Sequence, residues 1–234
     1  MTGRVGEGRV VVVTGANRGL GLEVARQCAA RGDMVVLGSR DPAAGRRAAA
    51  DLGDGVLPVA LDVTDTDGLA ASATDVDHAV GRVDVLVNNA AIHYDTWQNA
   101  VDVDLAVVRE ALDTNVLGAW QATLAFLPLL RRSAHPRVVM VSSEGGSLAS
   151  MNGGVPAYAV SKAALNALTR TRAGDRRRHG VLVNAACPGW TATDMGGRGG
   201  RPVAEGAASI LWAADLPDGG PTGTFTRDGR PLRW

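Results

Sequence analysis

The chain has 234 residues, of which 46% are hydrophobic and 21% charged, and its 24 basic and 24 acidic side chains cancel. This length and composition are those of one globular domain with a substantial core, and no run approaches the roughly 20 apolar residues of a membrane span. The balanced charge argues against nucleic acid or an anionic membrane as the main partner.

Short runs of β-branched residues alternate along the chain with longer segments of helical period. This alternation is typical of strand–helix–strand units with a parallel, buried sheet. The predicted strands are residues 10–13, 34–37, 56–61, 83–87, 137–141, 181–185 and 222–226. The predicted helices are residues 20–31, 42–52, 65–80, 102–130, 156–179 and 203–214. We therefore predict a single α/β domain over residues 1–234, a doubly wound, Rossmann-like parallel sheet of about seven strands with helices on both faces.

A glycine-rich turn, TGANRGLG at 14–21, connects the first predicted strand to the first predicted helix. Such a turn lets the backbone pass close to a pyrophosphate, while the helix N-terminus supplies N–H donors and a positive dipole. Glycine spacing alone also fits an ordinary turn, but its place between a buried strand and a helix favours a nucleotide site.

The end of the second predicted strand bears on the choice between NAD and NADP. An NAD site usually has an acidic residue about 20 residues after the glycines, for the ribose 2′-hydroxyl. Here the strand ends in Ser39 and Arg40, and Arg18 lies in the glycine turn, so two guanidinium groups are available for a 2′-phosphate. We predict NADP(H). The alternative is two solvated arginines, and Asp41 either favours NAD or only caps the next helix before Pro42.

Tyr158 and Lys162 are the strongest candidates for a reactive pair. Their i, i+4 spacing in a predicted helix puts both side chains on one face. Lys162 is the single lysine of a chain with 23 arginines, and Tyr158 is one of two tyrosines, so their pairing is hard to attribute to chance. An adjacent ammonium lowers the phenol pKa, and only lysine offers a compact one that can pass a proton. Ser143, after the fifth predicted strand, could hydrogen-bond a substrate carbonyl, although a serine there more often has no role beyond the turn.

These motifs and others resemble the short-chain dehydrogenase/reductase family, especially its carbonyl-reductase-like members, over nearly the whole chain. The matching segments are TGANRGLG (14–21), LDVTD (61–65), NNA (88–90), NVLG (115–118), VSS (141–143), PAYAVSKAALNALT (156–169) and CPGWTATDM (187–195). The resemblance implies reversible, NADPH-dependent reduction of a ketone to a secondary alcohol, with hydride from the nicotinamide and the proton from Tyr158.

The resemblance also implies roles for individual residues. Ser143 would polarise the carbonyl, and Asn115 would hold a water in a proton relay to Lys162, which would also lower the tyrosine pKa and bind the nicotinamide ribose. The predicted catalytic residues are Asn115, Ser143, Tyr158 and Lys162. The predicted cofactor contacts are Gly15, Asn17, Arg18, Gly19, Leu20 and Gly21 in the glycine turn; Ser39 and Arg40 after the second strand; Asp62 and Val63 at the adenine; Asn88 and Ala90 at the adjoining ribose; and Tyr158, Lys162, Pro188, Thr191 and Thr193 at the nicotinamide end.

Two departures from the family pattern concern the substrate end. Ala91 stands where the family usually has glycine, a small change that we expect to be tolerated. Ser143 lies 15 residues before Tyr158, slightly further than usual, so we expect the loop 144–155 to reshape the pocket. This loop is far shorter than the insertion that keeps some carbonyl reductases monomeric, so we expect a homodimer or homotetramer.

Several residues are candidates to line a substrate pocket, which would favour a bulky, partly aromatic ketone, but they equally fit surface or core packing. They are His93, Tyr94, Trp97, Glu144, Met151, Trp190 and Met195. Four glycines in MGGRGGR at 195–201 predict a mobile loop beside an open site. Two other functions remain open, namely a non-catalytic NADP(H)-binding sensor on the same fold and an epimerase or dehydratase that forms a transient ketone.

The remaining features indicate a metal-independent protein of the cytoplasm. Residues 1–9 lack the apolar core of a signal peptide. Cys28 and Cys187 are expected to be buried, unpaired thiols, as in a reducing compartment. The four histidines are scattered without metal-ligand spacing, so no metal site is expected.

Overall fold

A computed structural model describes residues 8–175 and 180–234, whose strands form one sheet in the order β3-β2-β1-β4-β5-β6-β7-β8. The strands are β1 (Val10–Val13), β2 (Met34–Ser39), β3 (Val56–Ala60), β4 (Val85–Asn88), β5 (Arg137–Val141), β6 (Leu182–Ala186), β7 (Phe225–Arg227) and β8 (Arg230–Pro231). The helices are α1 (Gly19–Ala30), α2 (Pro42–Leu52), α3 (Thr66–Val80), α4 (Leu105–Leu112), α5 (Ala119–Leu130), α6 (Pro156–Gly174) and α7 (Val203–Ala214). The predicted doubly wound, Rossmann-like α/β fold is confirmed.

The central strands are largely apolar because both faces of the sheet are covered by helices. In β1, Val10 and Val12 point into one core layer, with side chains from α3, α5 and α6. Val11 and Val13 point into the opposite layer, with side chains from α1, α2 and α7. Every residue of β1 is at most 1% exposed, which explains why the run VVVV shows no alternation with polar residues.

The order of the strands places the ligand site. The first strand pairs in parallel with β2 on one side and with β4 on the other. The connections that leave the carboxyl ends of β1 and β4 therefore run in opposite directions, and a crevice opens between them.

The sheet has one strand more than predicted, because the chain folds back after β7. The two-residue strand β8 pairs antiparallel with β7, with Arg227 opposite Arg230. The turn between them is Asp228 and Gly229, both with positive φ (52° and 73°), as a tight two-residue hairpin requires. The last parallel strand itself lies at Phe225–Arg227 and not at the predicted residues 222–226.

The single helix predicted over residues 102–130 is interrupted. Helix α4 begins at Leu105, where the carboxylate of Asp104 accepts the N–H of Ala106 (2.8 Å). A π-helical segment, Asp113–Gly118, then separates α4 from α5. Such an insertion adds a residue to one turn and often marks a functional site; here it carries Asn115.

Helix α6, which contains Tyr158 and Lys162, begins at Pro156 as predicted and ends at Gly174. The predicted end of this helix at residue 179 lies outside the described residues. Among the helices that the structure describes, none is long and apolar enough to cross a membrane.

Candidate active site

A cleft of about 600 Å³ opens at the carboxyl ends of the strands. Its wall includes most of the residues that the sequence predicts to bind the cofactor or to act in catalysis. They are Gly15, Asn17, Arg18, Gly19, Leu20, Gly21, Arg40, Asp62, Val63, Ala90, Ser143, Tyr158, Lys162, Pro188, Thr191 and Thr193. Three other predicted site residues, Ser39, Asn88 and Asn115, lie behind this wall.

The glycine turn is shaped so that backbone forms one end of the cleft. Gly15 and Gly19 have φ of 62° and 55°, a region that side chains disfavour. A Cβ on Gly21 would lie 2.5 Å from the amide nitrogen of Asn89 and 2.6 Å from the carbonyl oxygen of Gly15. The turn and the N-terminus of α1 therefore leave room and N–H donors for an anionic group.

Asn89, which the sequence reading did not single out, fastens this turn to the neighbouring strand. Its side-chain amide donates to the carbonyls of Thr14 (2.9 Å) and Gly15 (3.1 Å). The hydroxyl of Thr14 in turn accepts the N–H groups of Asn89 and Ala90, each at 3.0 Å. The only sequence signal for this role is the pair of asparagines at the end of β4.

The side chain of Asn88 points the other way, into the core. It is 3% exposed, and its amide donates to the hydroxyl of Thr123 (3.0 Å) and lies 3.3 Å from the sulfur of Met140. Any contact of Asn88 with a cofactor must therefore use its main chain.

The end of β2 presents one basic side chain to the cleft. Ser39 is fully buried and donates its hydroxyl to the carbonyl of Asp41 (2.7 Å), so this side chain is not available to a ligand. Arg40 is exposed on the cleft wall. The carboxylate of Asp41 caps α2 by accepting the N–H groups of Ala43 (2.8 Å) and Ala44 (3.1 Å), and these hydrogen bonds lower its pKa.

Arg18 forms an ion pair that spans the mouth of the cleft. Its guanidinium lies 3.2 Å from the carboxylate of Asp194, on the loop after β6, and both side chains are about three-quarters exposed (74% and 77%). The same loop faces the glycine turn at Thr193, which lies 3.8 Å from the position of a Cβ on Gly19.

At the other end of the cleft the hydroxyl of Tyr158 faces that of Ser143. Burial raises the pKa of Tyr158 to about 12, while the Ser143 hydroxyl acts in the lowering direction. Ser143 is held by the N–H of Gly145, which donates to its hydroxyl (3.1 Å). The phenol is therefore protonated at neutral pH, but its pKa is raised and not lowered as the resemblance implied, so Lys162 does not offset the effect of burial here.

Lys162 lies beneath Tyr158, 3% exposed, with its Nζ 5.5 Å from the centre of the tyrosine ring. The ammonium donates to the main-chain carbonyl of Val141, 2.8 Å away at the end of β5. Burial lowers the pKa of Lys162 to about 8. An ammonium has three donors, so two remain for a ligand in the cleft.

Asn115 lies behind the cleft wall at 1% exposure. Its Oδ1 accepts the N–H of Ile92 (2.8 Å), and its Nδ2 donates to the carbonyl of Ile92 (3.1 Å) and the hydroxyl of Ser161 (2.9 Å). Both amide hydrogens are thus engaged, so a relay water would have to be held by the main-chain carbonyl of Asn115.

Beyond Tyr158 and Ser143 the cleft is lined by aromatic and aliphatic side chains and one carboxylate. Of the predicted pocket residues, the wall includes Tyr94, Glu144, Trp190 and Met195, but not His93, Trp97 or Met151. The ring of Tyr94 packs edge-on against that of Tyr158, with centroids 5.2 Å apart. Glu144 forms an ion pair with Arg227.

The glycine-rich segment 195–201 is tied to the cleft wall at both ends. The N–H of Gly197 donates to the carbonyl of Thr193 and that of Arg201 to the carbonyl of Trp190, each at 2.8 Å. The indole N–H of Trp190 also reaches the carbonyl of Gly196 (2.7 Å). This segment borders the open side of the cleft beside Met195.

Within residues 8–175 and 180–234, no group of three or more His, Cys, Asp and Glu side chains could hold a metal ion. Cys28 and Cys187 are both free and buried.

Comparisons with known proteins all find dehydrogenases or reductases. A family model described as short chain dehydrogenase matches residues 9–201. A short-chain dehydrogenase/reductase 1 of Saponaria officinalis is 33% identical, with 93% of each chain covered. A galactitol 2-dehydrogenase (L-tagatose-forming) of Cereibacter sphaeroides is 36% identical over 81% of this chain and 74% of its own. Among solved structures, the NADPH-bound carbonyl reductase from chicken fatty liver has a TM-score of 0.88 at 30% identity and covers 97% of this chain and 99% of its own.

Proposed function

The chain belongs to the short chain dehydrogenase family, and on this premise we propose that it catalyses the reversible, NADPH-dependent reduction of a ketone to a secondary alcohol. It is an oxidoreductase that uses a nicotinamide cofactor. The observation that carries the proposal is the grouping of Tyr158, Ser143 and the buried Lys162 in the same cleft as the glycine turn, with the lysine Nζ 5.5 Å from the centre of the tyrosine ring.

The cleft fits a nicotinamide dinucleotide at both ends. Gly15, Gly19 and Gly21 line one end, where the turn has no side chains and the N-terminus of α1 offers N–H groups to a pyrophosphate. At the far end, Lys162 has free donors for a ribose. When bound, NADPH supplies the hydride.

The preference for NADP(H) over NAD(H) is supported by the charges at the end of β2. Arg40 and Arg18 both lie on the cleft wall and can approach a 2′-phosphate. Asp41 is engaged as the cap of α2 and has less freedom to bind a ribose hydroxyl. A carbonyl reductase of similar structure is bound to NADPH.

In the proposed reaction Tyr158 donates a proton to the carbonyl oxygen. This phenol is protonated at neutral pH, and the hydroxyl of Ser143 faces it. Ser143 directs a second hydroxyl towards the same oxygen, where negative charge develops. Lys162 is fixed against Val141 and stabilises the phenolate that remains after proton transfer. Asn115 is proposed to hold the relay water through its main-chain carbonyl.

The lining supports a bulky, partly aromatic ketone as the substrate. Ile92, Tyr94, Trp190 and Met195 present apolar surface beyond Tyr158. The carboxylates of Glu144 and Asp194 are paired with Arg227 and Arg18. Apolar contact would therefore supply most of the binding energy.

We also propose a cytoplasmic homodimer or homotetramer. Two buried, unpaired thiols are consistent with a reducing compartment. Three large apolar side chains, Leu117, Trp120 and Leu124, are 39–51% exposed along the π segment and α5, an apolar face suited to a second copy. Light scattering after gel filtration would measure the mass.

The function is tested by following NADPH loss with a panel of apolar aromatic and alicyclic ketones, using Tyr158→Phe as the control. We expect turnover in the wild type, and a loss of at least about 100-fold in the variant with NADPH affinity unchanged. Tight NADPH binding with no ketone consumed would instead indicate a sensor. An isomerised or dehydrated product with no net change in NADPH would indicate an epimerase or dehydratase.

A further inference from the structure

The helix that carries Tyr158 begins without a cap of its own. Its N-cap residue is Val155, which offers no side-chain hydrogen bond and lies in the left-handed region (φ 48°, ψ 55°). That conformation is unfavourable for a β-branched residue, and such strain persists only where neighbouring contacts enforce it. The first helical residue is Pro156, which has no N–H, so the first donors in need of partners belong to Ala157 and Tyr158.

Those two donors are both taken by one remote carboxylate. Asp95, in the loop after β4, accepts the N–H of Ala157 at 2.9 Å and that of Tyr158 at 3.0 Å, one with each oxygen. The Asp95 side chain is 0% exposed. Among the described residues it has no basic side chain as a salt-bridge partner, so the helix N-terminus provides the compensating positive charge.

The loop around Asp95 holds the tyrosine at a second point. The neighbouring Tyr94 packs its ring edge-on against the Tyr158 ring. The loop is itself anchored, since the N–H of Gln98 donates to the carbonyl of Asp95 (3.0 Å) and Asn99 forms a bridge with Gly154, just ahead of α6. One dipeptide thus holds both the main chain and the ring of Tyr158.

We propose that Asp95 is a positioning residue that keeps the Tyr158 hydroxyl facing Ser143 by capping α6 from outside the helix. This inference rests on the proposed function for its catalytic consequence. The first turn of an uncapped helix frays, and Tyr158 is the third residue of this helix. A displacement of about 1 Å at a reacting group can slow a reaction about 100-fold.

The test compares Asp95→Asn and Asp95→Ala with Asp65→Ala. The asparagine keeps one acceptor but turns an NH₂ group towards the second N–H, so one bond survives. The control removes a cap of the same kind on α3, where Asp65 accepts the N–H of Gly68 (3.0 Å) and is not itself part of the cleft wall. We expect kcat to lie about 10- to 100-fold below the wild-type value in the Asp95 variants, and lower in Asp95→Ala than in Asp95→Asn. The KM for NADPH should be unchanged, and the control should be fully active.

A double-mutant cycle separates positioning from general destabilisation. If Asp95 acts through the Tyr158 hydroxyl, Asp95→Asn has no further effect on the residual rate of Tyr158→Phe. An equal loss of kcat in both backgrounds overturns the inference.

Hydrogen exchange provides a reading that does not depend on turnover. We expect the amides of Ala157 and Tyr158 to exchange faster in Asp95→Asn and to be unchanged in Asp65→Ala. Equal exchange in wild type and Asp95→Asn overturns the inference even in a protein that reduces no ketone. A wild type that is inactive with every ketone overturns the proposed function alone.

Discussion

The Nζ atom of Lys162 passes beneath the ring of Tyr158, 5.5 Å from its centre, and reaches the carbonyl of Val141 at 2.8 Å. The ammonium therefore links the helix of the tyrosine to the end of the strand that leads into Ser143. Both ends of this link are buried. A compact, hydrogen-bonded cation fits there, and a planar guanidinium with five donors does not.

Lys162→Arg should therefore impair both folding and turnover. Forcing the larger head group into a buried position should cost about 1–3 kcal/mol of unfolding free energy, although at an exposed helix position the change would be benign. We expect turnover to fall at least about 100-fold, because the guanidinium cannot pass a proton towards Tyr158. Urea unfolding and single-turnover hydride transfer measure the two effects. Near-normal turnover with an unmoved pH profile would show that any cation suffices.

Burial of Lys162 should also make the stability of the cofactor-free protein depend on pH. Its pKa is lowered to about 8 in the folded chain, from its ordinary value of 10.5. Between these values the unfolded chain binds the extra proton, so unfolding free energy rises with pH, by about 3 kcal/mol in all. Below about pH 8 the full penalty of the buried charge is present. The opposing effect of Tyr158, whose pKa is raised to about 12, begins only above its ordinary value near 10.

The matched variant for this pH effect is Lys162→Met, which keeps the length of the side chain and removes the charge. We expect the wild type to gain stability relative to this variant between about pH 7.5 and about pH 9.5, measured by urea unfolding. Parallel pH profiles for the two proteins would contradict the burial argument.

Arg40→Asp should weaken NADPH binding and shift preference towards NADH. Loss of a charge-assisted contact to the 2′-phosphate should cost about 2 kcal/mol of binding free energy, which raises the Kd for NADPH about 30-fold. Repulsion between the new carboxylate and the phosphate adds to this loss. Arg47→Asp, on the exposed side of α2 and off the cleft wall, is the control for the change in net charge. Equal affinity of wild type and Arg40→Asp for both cofactors would assign Arg40 to the solvated surface.

Asp194→Asn should strengthen NADPH binding. In the cofactor-free protein Arg18 is paired with Asp194, so a 2′-phosphate must compete for the guanidinium. Because the pair is exposed, we expect a gain of about two- to five-fold at low ionic strength, which salt removes. Fluorescence titration with NADPH at two salt concentrations measures this. Weaker binding in Asp194→Asn would mean that Asp194 holds Arg18 in position for the cofactor.

Features encoded in short stretches of sequence were predictable. The apolar periods located the strands β1 to β6 and the helices α1, α2, α3, α6 and α7, and the glycine turn and the i, i+4 pair of Tyr158 and Lys162 located both ends of the cleft. The hairpin that adds β8 also has a local signal, the dipeptide Asp228-Gly229, which is typical of a two-residue turn.

Features that depend on distant partners were not predictable. Asn88 and Asn89 look alike in sequence, and only the pleat of β4 sends the first into the core and the second to the glycine turn. The π segment ends at Gly118, but a single glycine within a helical pattern does not distinguish a π turn from a continuous helix. Asp95 gains its role from amides 62 and 63 residues further along the chain.

The two free thiols differ in depth. Cys28 lies in α1 against the sheet, and burial raises its pKa to about 12. Cys187 follows β6 on the cleft wall, and burial raises its pKa as well. Neither thiol has appreciable thiolate at neutral pH, so the protein should resist air oxidation without added reductant. Alkylation of Cys187 requires only a local opening of the cleft, whereas alkylation of Cys28 requires α1 to separate from the sheet. The rate of alkylation of Cys187 therefore reports local opening of the cleft, and the rate of alkylation of Cys28 reports global unfolding.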